Sequence, residues 1–103
     1  MMMAIKMDTL QLNSALRSIA KDERLNVWHI SMLVALHLLA VDQGKFGGVK
    51  ASRSKIMALS HINTLPTYHK YFRELQELGY INYRPSYHPG VRSEIDMLNY
   101  PSR

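Results

Sequence analysis

The stretch from Thr64 to Leu98 constrains the chain most, because its apolar period changes from helical to alternating at a single glycine. Leu65, Tyr68, Phe72 and Leu75 recur at helical spacing and predict one apolar stripe on a helix over residues 66–78. Thr64 stands where an N-cap hydroxyl would accept a bond from a free backbone N–H. Pro66 lies just inside the start, where a residue without an N–H loses nothing. Gly79 is placed to end the helix, since a left-handed cap favours a residue without Cβ. The face away from the stripe carries Pro66, Thr67, Lys70, Arg73, Glu74 and Glu77, with hydroxyls and cations near the start. Beyond Gly79, residues 80–87 predict a strand, His88-Pro89-Gly90 a turn, and residues 91–98 a returning strand. Val91, Ile95 and Met97 are the apolar positions of that last strand.

Upstream, Ser52 is an N-cap for a short helix over residues 53–59, with Ile56, Met57 and Leu59 as its buried positions. The following turn, 60–63, has no glycine, so His61 or Asn63 is expected to take the special backbone conformation. Residues 49–51 predict a short first strand that pairs with the later hairpin. Asn26 caps a helix that runs to about residue 43 and is apolar nearly all round, so burial on more than one side is expected. Its longest apolar run, Val27 to Val41, is 15 residues, short of the ~20 needed to span a bilayer. It also lies too far into the chain to be a secretory signal, so a cytoplasmic protein is expected. Residues 8–20 predict one more helix, capped by Asp8 or Thr9, with Leu10, Leu12, Leu16 and Ile19 on one side. Its stripe packs either on its own domain or on a second subunit. Residues 1–25 thus read as an N-terminal helical element and a possible dimerisation element. Residues 26–98 read as the main domain and 99–103 as a loose tail. With 103 residues, one domain is the natural count.

The run ELQELGYINY, Glu74 to Tyr83, resembles the end of the recognition helix and the start of the wing in winged helix-turn-helix transcription regulators. Leu75, Leu78, Gly79, Tyr80 and Ile81 fall on that family's pattern, and the likeness covers residues 26–98. The mix also looks like that of small regulators carried on bacterial mobile elements. The resemblance implies a mainly α fold with a small β-hairpin wing (α+β), and sequence-specific binding of double-stranded DNA by a transcriptional regulator. An alternative within the same fold is a protein-interaction module in replication or recombination of a mobile element.

Charge agrees with a polyanionic partner. From Gly44 to Ser93 there are eight Lys or Arg (Lys45, Lys50, Arg53, Lys55, Lys70, Arg73, Arg84, Arg92) against two acids, Glu74 and Glu77, a surplus of six. The rest of the chain has five bases and six acids. The whole excess therefore lies in the helix pair and the hairpin. Thr67, Lys70 and Arg73 are the candidates for the major groove, with His69 beside them. Thr64 would cap the helix near the DNA backbone. Arg53 and Lys55, at the start of the preceding helix, suit phosphates, and Arg84, His88 and Arg92 suit phosphates or the minor groove. A homodimer is expected, because a chain this short buries only about 65% of its unfolded surface and carries excess apolar helix faces.

Other chemistry has little support. GKFGG, residues 44–48, lacks the spacing and the Lys-Ser/Thr pair of a phosphate loop. The chain has no cysteine. His29, His37, His61, His69 and His88 show no metal-ligand spacing, so no metal or cofactor is expected. Glu74 and Glu77 are expected to pair with Arg73 or Lys70 as solvated charges. No reactive cluster points to an enzyme.

Overall fold

A computed structural model describes residues 9–98 of the chain, and side chains from residue 13 onward. Helix α1 (Thr9–Lys21) is followed by α2 (Val27–Gln43), β1 (Val49–Lys50), α3 (Arg53–Ser60), α4 (Leu65–Glu77), β2 (Ile81–Arg84) and β3 (Glu94–Met97). The result is a mainly helical α+β domain with a three-stranded antiparallel sheet in the order β1-β3-β2. The Asp8 cap and the loose tail lie outside the described residues. So do the side chains of Leu10 and Leu12.

Local capping chemistry explains the helix boundaries. The Asn26 side chain accepts from the N–H groups of Trp28 (2.9 Å) and His29 (3.3 Å), and the Asn26 N–H donates to His29 Nδ1 (2.9 Å). This is a reciprocal capping box in which a histidine takes the position usually held by Glu or Gln. Ser52 Oγ accepts from Lys55 N at 3.2 Å and starts α3. Helices α2, α3 and α4 all stop with the same pair of bonds. Lys45 N donates to Ala40 O and Gly44 N to Val41 O. Ile62 N donates to Met57 O and His61 N to Ala58 O. Tyr80 N donates to Leu75 O and Gly79 N to Gln76 O. The left-handed residue is Gly44 or Gly79 in two of them. In the third it is His61 (φ 61°), as the glycine-free turn predicted.

The core forms where the helices meet the sheet. Met32 and Leu36 of α2, Ile56 of α3, Leu75 of α4, Ile81 of β2 and Ile95 of β3 are fully buried, and Ile62 fills the α3–α4 turn. Ile19 of α1 belongs to the same cluster. Ser31, which interrupts the apolar run of α2, donates to the carbonyl of Ser60 and so ties α2 to the end of α3. Val49 pairs with Ile95, and Ile81 with Met97, so β3 is the middle strand.

Several expectations are corrected. Leu65 is 44% exposed and does not join the stripe of Tyr68, Phe72 and Leu75. Thr64 has the backbone of an N-cap but makes no side-chain cap bond. The second helical residue, Pro66, has no N–H to offer. Thr64 Oγ1 instead donates to Thr67 Oγ1 at 2.9 Å. The strands are shorter than 80–87 and 91–98. Pro85 would follow Arg84 in the ladder and cannot donate to it, so β2 ends there. Val91 is 55% exposed beyond the start of β3. Met57 and Leu59 of α3 are only half-buried. Helix α2 is not buried on every side: Val27, Ile30, Val34 and Leu38 form an exposed stripe opposite its core face.

Candidate nucleic-acid interface

The periodicity of α4 sorts its side chains. At ~100° per residue, the buried Tyr68, Phe72 and Leu75 define one side, and Lys70, Arg73 and Glu77 lie opposite, exposed. Thr67 and His69 sit on the two flanks between these faces. Lys70 Nζ lies 5.3 Å from the centroid of the Tyr71 ring, which steadies the ammonium without neutralising it. Arg73 Nε meets Glu77 Oε2 at 3.7 Å, with both side chains well exposed to water. A pair of that kind contributes ~0.2–1 kcal/mol and yields readily to a phosphate.

Glu74 does not take part in that solvated pairing. Its Oε1 lies 2.8 Å from His29 Nε2, across the packing of α4 on α2. Because His29 Nδ1 accepts from Asn26 N, the ring proton must be on Nε2, where it donates to the carboxylate. One histidine thus caps α2 and orients α4. The Tyr71 ring stands edge-on to it at 4.9 Å, and Trp28 stacks on Tyr71 at 6.2 Å.

The other candidates fall into two groups. Arg53, at the start of α3, His69, on the α4 flank, and Arg92, before β3, line one groove between the helix pair and the hairpin. Lys55 is exposed in the first turn of α3, its N–H bonded to the Ser52 cap. His88 is at the exposed hairpin tip, where Val91 N donates to His88 O at 3.1 Å. Arg84 departs from the expectation of a free cation. Its Nη2 is 2.7 Å from Asp96 Oδ1 and 3.2 Å from Glu94 Oε1. Asp96 also accepts from Asn82 Nδ2 (3.0 Å) and Gly48 N (2.8 Å), and these bonds hold its carboxyl below the usual range. The Asp96 bond, first of all, raises the Arg84 pKa further. Across Gly44 to Leu98 there are then four acids against the eight bases, a surplus of four.

Tyr83 was not among the candidates. It is half-exposed on the hairpin, edge-on to Phe72 at 5.1 Å, with its hydroxyl donating to Ser93 Oγ at 3.3 Å. Its place in the alternation of β2, two residues after the inward Ile81, was a usable signal. Among the described residues no three His, Asp or Glu side chains come together as a metal site, and no helix is long and apolar enough to cross a membrane. Comparison with protein-family models, curated proteins and solved structures finds no significant match to this chain.

Proposed function

We propose that this chain is a winged helix-turn-helix protein that binds double-stranded DNA as a homodimer and regulates transcription. In this reading α4 is the recognition helix and the β2–β3 hairpin is the wing. The observation that carries the reading is the outer face of α4. Lys70 and Arg73 stand there in water, backed by Tyr68, Phe72 and Leu75 in the core, on a helix joined to α3 by a tight turn. A rigid helix with solvent-facing cations and a buried back fits the major groove. Arg53, Lys55, Arg92 and His88 flank it as contacts to phosphate. Arg84, committed to two carboxylates, is reassigned from contacting DNA to holding the hairpin together.

The interaction-module alternative draws support from the bare apolar stripe of α2 and from the neutralised Arg84. Fluorescence anisotropy of a random-sequence duplex, titrated with salt, tests the main reading. Binding is expected, with log affinity falling linearly as log salt rises. Replacing Lys70 or Arg73 by Ala should lower that slope by about 1 for a phosphate contact, or cost ~1–3 kcal/mol at one base pair for a guanine contact. A duplex that fails to bind at low salt would end the DNA reading and leave the protein-partner one.

A further inference from the structure

The groove lined by Arg53, His69 and Arg92 is also lined by Tyr68 and Phe72, at the edge of the core. It encloses about 370 Å³, within the range of small-ligand sites. Its lining includes aromatic rings: Tyr68 and Phe72 stack at 5.2 Å and 15°, and Tyr83 meets Phe72 edge-on. Tyr68 is only 6% exposed and lines the groove, yet its hydroxyl has no hydrogen-bond partner among the described residues. A hydroxyl that lines an open groove without a protein partner is free to bond to a ligand. Burial pushes this phenol up to about 12, so it remains a donor at every ordinary pH. Arg53 and Arg92 also line the groove and have no carboxylate partner among the described residues, and no acidic side chain lines it. Aromatic rings, a hydroxyl without a protein partner and two arginines lining one groove suit a ligand with one flat polar ring and one anionic group.

We infer that this groove binds a single nucleotide unit, its base against the half-exposed Tyr83 ring, the Tyr68 hydroxyl on the base edge, and its phosphate between Arg53 and Arg92. A neutral ligand would leave both arginines unused, and inorganic phosphate alone would leave the aromatic rings without a partner. Base–aromatic stacking tolerates any base, so the site selects the unit and not its identity. The nucleotide can be free, or it can be an unpaired residue at the end of a strand. The second source rests on the DNA reading above, and the first does not.

The test titrates the full chain with thymidine 5′-monophosphate and, separately, with inorganic phosphate, following the tyrosine and phenylalanine ring resonances. A blunt duplex is then compared with the same duplex carrying a one-nucleotide overhang. For a free nucleotide, the expected result is shifts at Tyr68, Phe72 and Tyr83 that phosphate does not reproduce. Tyr68→Phe, which keeps the ring, should weaken binding about fivefold, and Arg92→Ala about tenfold. Lys45→Ala, outside the groove, should change nothing. For a strand-borne nucleotide, the overhang duplex should bind several-fold tighter than the blunt one, with the gain lost in Tyr68→Phe and in Arg92→Ala. Equal responses to the nucleotide and to phosphate, or none, together with equal affinity for the two duplexes, would overturn the inference. Nucleotide binding without any duplex binding would sink the DNA reading alone.

Discussion

Asp22 lies in the loop between α1 and α2. Its carboxylate accepts from Arg24 N (3.0 Å), Arg24 Nε (2.9 Å) and Arg24 Nη2 (2.7 Å), and from the Tyr80 hydroxyl at 2.6 Å. The last bond joins the α1–α2 loop to the residue that follows the α4 cap. The Arg24 bonds first, and Tyr80 second, hold the Asp22 carboxyl far below its ordinary 3.8. Burial, then the bond to Asp22, pushes the Tyr80 phenol up to about 12. A depressed carboxyl contributes stability that is present above its unfolded value and is lost as pH falls through the folded one. A raised phenol contributes stability below its unfolded value of 10.0 that fades as pH climbs toward 12. Thermal unfolding followed by circular dichroism across pH should therefore weaken on the acid side below about pH 4. Asp22→Asn should flatten that decline. An identical acid limb in the variant would show that other carboxylates carry it.

The three matching helix ends make their own prediction. At Gly79 an added Cβ would meet nothing within 4 Å, so a substitution there is opposed by its φ of 86° alone. Gly79→Ala should cost about 1 kcal/mol. At His61 the situation is reversed: a side chain already occupies the left-handed position, and His61→Gly should gain ~0.5–1 kcal/mol. Urea unfolding midpoints at unchanged slope measure both. Opposite signs are required, since the same two bonds close both helices. In the sheet, Asn82, Arg84, Glu94 and Asp96 bond across one face while Ile81, Ile95 and Met97 face the core. The hairpin is therefore held on both faces, by a polar network on one and by the core on the other.

For the molecule as a whole, the exposed stripe of α2 is the largest departure from a core-in, polar-out arrangement. Val27 is 72% exposed and Val34 49%, with Ile30 and Leu38 beside them and Leu16 of α1 also exposed. The homodimer in the proposed function would use this stripe as its interface. Sedimentation velocity at micromolar concentration should then find a dimer for the native chain and a monomer for Val34→Asp, both with native circular dichroism. A native chain that stays monomeric throughout would remove the homodimer from the reading and leave the stripe for a different protein.

What could be read without coordinates was what the chain settles within four or five residues of itself. Asn26, Ser52, Gly79 and the glycine-free turn at His61 mark the helix ends, because a cap bonds only its own first or last turn. The stripe of Tyr68, Phe72 and Leu75 was legible for the same reason: one helical period decides which side is apolar. Lys70 and Arg73 followed as the opposite side. Pairings between distant residues were not legible. Glu74 meets His29 from another helix, Arg84 meets Asp96 across the hairpin, and Asp22 meets Tyr80 from 58 residues away in the sequence. Nothing in the local pattern distinguishes those charges from solvated ones. Nor does helical period say which half of an all-apolar helix such as α2 the core will cover. That depends on where α3, α4 and the sheet come to lie, and they cover the half holding Met32 and Leu36. A helix end is a local hydrogen-bond problem with a local solution, whereas burial and ion pairing depend on which surfaces the whole chain brings together.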